Sequence, residues 1–347
     1  MRFLLDICHP AHVHFFRHPV TILRERGHEV LITSRVKEVA IPLIESLGWE
    51  HLPLSSASSG GVFGLLKELT KRDVALYRVV REFRPHAMAA IGGIFIAHAG
   101  FATRTPSVVF YDTETAKLQN LLTYPFASKV VVPQCYKAWL PKRSTRYKGY
   151  HELSYLHPQR FTPCAAIAQA NGIDPNKDNY LIRLVSWQAN HDIGQVGWST
   201  ALLNTIVAHL SQRGKVIISA EGKLPTELQP LAYQGSPLQL HHVMAHCRLL
   251  VGESATMASE AAVLGVPAIY AAHTVLGYTT EQEQHYSLVS NIRTLENEPL
   301  ISAIDDLLTR PTEEWSTRRS RLLAETIDVA SYVADQIEEA GLNKLAL

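Results

Sequence analysis

Cysteine is scarce in this chain. Only Cys8, Cys135, Cys164 and Cys247 occur among 347 residues, and no two of them form a CxxC pair. The scatter gives no disulfide framework and no thiolate metal motif, and a reduced, cytoplasmic protein is the simplest expectation. Long apolar runs are missing too, so no segment is read as a transmembrane helix. Met1–Asp6 opens directly as a strand and does not have the pattern of a signal peptide. Excess charge is absent: 33 basic and 32 acidic residues leave a net +1, which removes any global argument for nucleic acid. Repeats and low-complexity tracts are lacking. What is present is a globular composition, 46% hydrophobic and 19% charged, on a chain long enough for two α/β domains. The one unusual abundance is histidine, 17 in all.

Strand-like and helix-like segments alternate from the first residue. Arg2–Ile7, Glu29–Ser34, Glu50–Leu54, Ala87–Ile91, Ser107–Tyr111 and Lys129–Val132 read as strands. Between them lie helical patterns near His14–Arg26, Glu38–Leu47, Leu65–Phe83 and Ile94–Arg104. Ser55–Gly64 reads as a loop. Gln134–Pro163 holds three prolines and little periodicity, and is expected to be a crossover between domains. The rhythm restarts with Tyr180–Ser186, Thr200–Gln212 and Lys215–Ser219, a short strand at Leu238–Leu240, a helix near Gln282–Ser290, and one long helical stripe over Glu313–Ala340. Such alternation implies right-handed βαβ units, and so two doubly wound, Rossmann-like parallel-sheet domains facing a cleft, with ligands at the carboxyl ends of the strands. The domains are expected over 1–155 and 156–320, with 321–347 as a C-terminal helix that can cross back to the first domain.

Residues 247–270, CRLLVGESATMASEAAVLGVPAIY, carry the most chemistry. An apolar strand runs into a small-residue turn, Gly252–Thr256, then a small-residue helix holding one acid, Glu260, then a second apolar strand. Backbone N–H groups at such a helix start suit a diphosphate. Glu260 lies about one helical turn further in, where a carboxylate can accept two hydrogen bonds from a ribose diol. An ordinary βαβ turn with small residues for packing is the alternative.

Other strand ends hold candidates of their own. Asp6-Ile-Cys-His-Pro-Ala-His-Val-His14 offers His9 and His12 for hydrogen bonding or acid–base work, with helix capping or packing as the alternative; the spacing is not that of a metal site. Asp112 and Glu114 follow the strand at Ser107–Tyr111 and can act as base or stabilise a cationic transition state, unless Asp112 or Thr113 only caps the next helix. Arg183 can pair with a diphosphate if it points out of its strand end, Trp187 can stack on a base, and His191 can contact phosphate or sugar. His241, His242 and His246 lack the geometry that would specify a metal, and one of them can contact the base instead. Val62–Arg72, apolar and flanked by cations, is either a helix covering the sheet or a membrane-surface contact.

The string SATMASEAAVLGVP resembles the donor-nucleotide motif of the GT-B superfamily, which includes glycosyltransferases and UDP-N-acetylglucosamine 2-epimerases. The start DICHPAHVHFF resembles an uncharacterised prokaryotic branch, domain-of-unknown-function family 354. Carried over position by position, the resemblance implies Gly252, Ser254, Ala255 and Thr256 at the diphosphate and Glu260 at the ribose hydroxyls. Two departures stand out. Ala255-Thr256 replaces the usual glycine pair, and Gly93 stands where the epimerases carry an acid. The resemblance implies a GT-B fold and a nucleotide-diphosphate-sugar ligand without choosing the reaction; the first expectation is a glycosyltransferase acting on a UDP-sugar without metal or other cofactor. The acceptor would be a surface glycan or a lipid-linked sugar, and the location cytoplasmic, with peripheral contact at the inner membrane face as an option. A 2-epimerase-like enzyme and a non-catalytic nucleotide-sugar-binding protein are the alternatives.

Overall fold

In the computed structural model, which describes residues 1–36, 40–56, 61–185 and 197–346, the alternation becomes two separate parallel sheets. The first contains β1 (Arg2–Ile7), β2 (Glu29–Val36), β3 (His51–Ser56), β4 (Ala87–Ile91), β5 (Ser107–Phe110), β6 (Lys129–Pro133) and β7 (Ser144–Tyr147), in the order β3-β2-β1-β4-β5-β6-β7. The second contains β8 (Asn179–Leu184), β9 (Lys215–Ala220), β10 (Leu249–Gly252), β11 (Ala268–Ala271) and β12 (Val289–Ile292), in the order β12-β11-β10-β8-β9. Every pairing within them is parallel. Strand order reverses between β1 and β4 in the first sheet and between β8 and β10 in the second. In an open parallel sheet that reversal splays the two loops leaving the carboxyl ends and makes room for a ligand.

The strands read as near-continuous apolar runs because helices cover both faces. Phe3, Leu4 and Leu5 of β1, Val108 and Val109 of β5, and Leu249, Leu250 and Val251 of β10 are all fully buried. The chain forms two compact units, Met1–Tyr155 together with Ile327–Leu347, and Leu156–Thr326.

Several elements differ from expectation, each for a local reason. The first helix spans Pro10–Glu25 and so begins before His14; Pro10 occupies its first turn, where no N–H is needed, and the His9 ring caps it. Gln134–Pro163 is no simple crossover, since β7 lies within it and extends the first sheet beside β6. Leu238–Leu240 is not a strand: Leu238 and Gln239 belong to a turn of 3-10 helix, Pro237–Gln239, and Leu240 begins the next helix. The helix expected near Gln282–Ser290 is Gly277–Gln284; Ser287 then takes a left-handed φ of 51°, and β12 follows. The long stripe breaks into Thr312–Glu325 and Val329–Leu345. Residues 321–326, assigned above to the tail, therefore finish a helix of the second unit.

The break is set by Asp328, whose carboxylate accepts from the Ala330 and Ser331 N–H groups and caps the last helix. That helix packs on the first unit, where Lys344 Nζ donates to Pro85 O and Thr105 Oγ1, and Arg26 pairs with Asp335 and Glu338. Removing the cap in Asp328→Ala is expected to lower stability by about 1 kcal/mol, read as a lower melting temperature. An unchanged melting temperature means that the cap is not what holds this helix start.

Candidate functional site

In the second unit, β10 and β8 run side by side with Gly252 level with Arg183. The two backbones approach so closely there that a Cβ on Gly252 would lie 2.1 Å from Arg183 O, so no other residue fits without moving a strand. Ser254 then caps the helix Ala255–Leu264 by accepting from Met257 N–H at 3.2 Å. Every residue of that helix except Thr256 is buried. Alanine and serine make this possible, because small side chains let the helix sink against the sheet. No acceptor among the described residues takes the N–H groups of Ala255 or Thr256, so the helix start presents two donors at its positive end.

Glu260 is 6% exposed and carries a partner from another element. His241, on the short helix Leu240–Met244, places Nε2 2.9 Å from Glu260 Oε1. A buried carboxylate needs such a donor to offset the water it loses. The other histidines of the run are used separately. His242 Nδ1 accepts from Cys164 N–H at 3.1 Å, His246 Nδ1 donates to His242 O at 2.8 Å, and the Phe161 ring packs on His241 and His242. Among the described residues no group of three or more His, Cys, Asp or Glu is arranged to hold a metal ion.

Arg183 does not project out of its strand end. Its guanidinium lies across the sheet, donating to Ser219 Oγ at 2.9 Å and to Glu221, both from β9 and its exit. Trp187 and His191 lie outside the described residues. The segments that flank them are joined by Glu253, which sequence reasoning passed over as part of a small-residue turn. Its buried carboxylate accepts from Val185 N–H at 3.2 Å and from Trp198 N–H at 2.7 Å.

In the first unit, Asp112 stands just beyond β5 and pairs with a residue 39 positions later. His151 Nδ1 lies 3.1 Å from Asp112 Oδ2, and the Thr113 hydroxyl donates to Asp112 Oδ1 at 2.9 Å. Capping is not the role of Asp112 or Thr113: the next helix, Lys117–Thr123, begins after Ala116 with no side-chain cap. Burial pushes the Asp112 carboxyl upward, but His151, Thr113 and the charge of His12 outweigh it together, so it titrates below the ordinary carboxylate value. The His151 ring packs on Phe15 at 4.5 Å, and its Nε2 is buried with no hydrogen-bond partner among the described residues.

The other first-unit candidates separate. Glu114 does not join Asp112; its Oε1 accepts from Lys137 N–H at 3.3 Å. His9 Nδ1 accepts from Ala11 N–H and His12 Nδ1 from Cys8 N–H, at 3.2 and 3.3 Å. A neutral ring bonded that way carries its hydrogen on Nε2. Arg72, read as a flank of a membrane-facing helix, is fully buried: its Nη2 donates to Asp6 Oδ1 at 2.6 Å and the guanidinium lies 4.9 Å from the Phe95 ring centroid. The side chains of 62–68 lie outside the described residues.

Residues 1–281 match the family model described as protein of unknown function, DUF354. The chain belongs to that family. An uncharacterised protein of Methanocaldococcus jannaschii, MJ0665, is 23% identical over 133 residues, a match covering 37% of this chain and 38% of that protein's length. Among solved structures, a kitacinnamycin glycosyltransferase is similar at a TM-score of 0.68 and 15% identity, each chain 98% covered. The UDP-GlcNAc 2-epimerase of Neisseria meningitidis bound to UDP-GlcNAc gives 0.68 at 11% identity, over 99% of this chain and all 100% of that one. The calicheamicin glycosyltransferase CalG4 gives 0.61 at 16% identity, each chain 98% covered. These likenesses establish a GT-B-type α/β fold for the DUF354 chain.

The pairing of Asp112 and His151 is testable through pH. Asp112 titrates lower folded than unfolded, so its stabilising contribution is full above the unfolded carboxylate value, about 4, and is lost as the pH falls below it. Asp112→Asn is expected to destabilise by about 1.5–3 kcal/mol near neutral pH, the range for a hydrogen bond to a charged group. Thermal unfolding across pH should show the gap between variant and wild type closing in acid. A constant gap would refute the ionised pair.

Proposed function

We propose that the protein is a nucleotide-sugar enzyme that transfers a glycosyl group from a nucleotide-diphosphate sugar, such as a UDP-sugar, to a hydroxyl of a glycan or lipid-linked acceptor. One observation carries the reading: a helix start with two N–H donors that no described residue takes, and, on the same helix, a buried carboxylate oriented by His241. Ala255 and Thr256 N–H groups would take the diphosphate, and Glu260 would accept from the ribose hydroxyls. Main-chain donors aimed at the leaving diphosphate stabilise charge as the glycosidic bond breaks, without needing a metal. Arg183 is given no part in the diphosphate site, because its guanidinium is already bonded to Ser219 and Glu221.

The acid–base role falls to Asp112 and His151. Asp112 accepts the Nδ1–H of His151, which leaves the Nε2 lone pair to take the acceptor hydroxyl's proton and Asp112 to stabilise the imidazolium that forms. His9 and His12 would donate to substrate oxygens, since their Nδ1 atoms are bonded to backbone N–H. Epimerisation fits less well. Gly93 stands where the epimerases carry an acid; it has φ of 50°, and a Cβ there would lie 2.4 Å from Val109 Cγ1.

Calorimetry with UDP-sugars tests the donor site. Glu260→Ala is expected to weaken binding by about 1–3 kcal/mol, and unchanged affinity would remove the ribose role. Turnover is tested separately. His151→Gln is expected to lower the rate by about 10²–10⁴-fold with donor affinity kept, and activity should persist in chelator. Release of nucleotide that needs no acceptor, or conversion of the nucleotide sugar alone, would overturn transfer in favour of epimerisation or hydrolysis.

A further inference from the structure

An apolar groove of about 630 Å³ opens on the first unit between the helix Lys117–Thr123 and the segment 134–143. Trp139 and Leu121 line it, 74% and 69% exposed. Scattered exposed leucines are ordinary, but a largely exposed tryptophan and leucine lining one hollow are not. They are also presented firmly. The Trp139 ring packs 6.0 Å from Tyr124, and Arg143 Nη2 donates to Tyr124 O and Pro125 O beneath it.

The same rim is cationic. Lys117, Lys142 and Arg143 line the groove, and none of them makes an ion pair among the described residues. Arg143 bonds only carbonyl oxygens, which leaves its charge uncompensated. The acid at the edge is Glu114, so the rim carries more positive than negative charge. A second copy of the chain docked by a two-fold axis would set these cations against themselves. An apolar ridge with an interfacial tryptophan, ringed by unpaired cations, complements an anionic lipid surface.

We propose that this face seats the protein on a bilayer rich in anionic lipid. Leu121 and Trp139 enter the interfacial layer, and Lys117, Lys142 and Arg143 lie against headgroup phosphates. The surface is distinct from Val62–Arg72, where Arg72 is buried. It does not depend on the nucleotide-sugar reading, because binding is measured without substrate.

The test is sedimentation of the full chain with vesicles of phosphatidylcholine alone or mixed with phosphatidylglycerol. Binding is expected only to the mixed vesicles, to weaken on raising salt, and to fall at least about tenfold in K117E/K142E, as expected for cations near an anionic surface. L121S/W139S is expected to lose binding as well, while both variants keep the wild-type melting curve, since all four side chains lie at an open rim. Three outcomes overturn the proposal: equal binding to neutral and anionic vesicles, binding that neither variant reduces, and no vesicle binding with a wild-type dimer that L121S/W139S disperses. The last assigns the face to a second copy.

Discussion

Parallel pairing is the constraint on which everything else here rests. Because all strands of a sheet run the same way, every carboxyl end of a unit opens on one edge, and residues far apart in sequence meet there. Asp6 near the end of β1, Asp112 after β5 and His151 after β7 belong to that edge of the first unit; Arg183 near the end of β8 and Glu253 after β10 belong to that of the second. The reversal of strand order then selects which loops along that edge have room between them.

Polar groups at these edges are buried in an apolar body, and their partners are correspondingly specific. A lone buried charge costs several kcal/mol, so each must be matched within hydrogen-bond distance. Asp6 is matched by Arg72 and Thr33, Glu260 by His241, and Glu253 by two backbone N–H groups. In Asp6–Arg72 both partners are nearly inaccessible, and the Cys8 thiol beside them is pushed up, chiefly by burial, and stays protonated. That cluster holds β1, β2 and their covering helix together. Asp112–His151 differs in keeping part of the carboxylate accessible and one imidazole nitrogen without a partner among the described residues, which suits proton transfer.

The two halves of the proposed chemistry therefore rest on different physics. Donor binding uses backbone dipoles and one oriented carboxylate, which change little with pH near neutrality. Proton acceptance uses an imidazole nitrogen whose ring is oriented by a carboxylate.

The alternation of apolar runs with small-residue helices was enough, in the chain itself, to establish two parallel sheets, because period and turn chemistry are local properties. The stretch Gly252–Glu260 was legible for the same reason: its strand, cap and helix are contiguous. Partners were not legible. His151 lies 39 residues from Asp112, His241 lies 19 before Glu260, and Arg72 lies 66 after Asp6, so no spacing rule links them. Nor could composition tell that Arg183 would turn onto β9, or that β7 would form in a proline-bearing stretch. Sequence determined which residues could serve as donors, acids and small packing units. Tertiary structure alone decided which of them face one another, because hydrogen bonds and burial depend on distance in space and only the folded sheets set that distance.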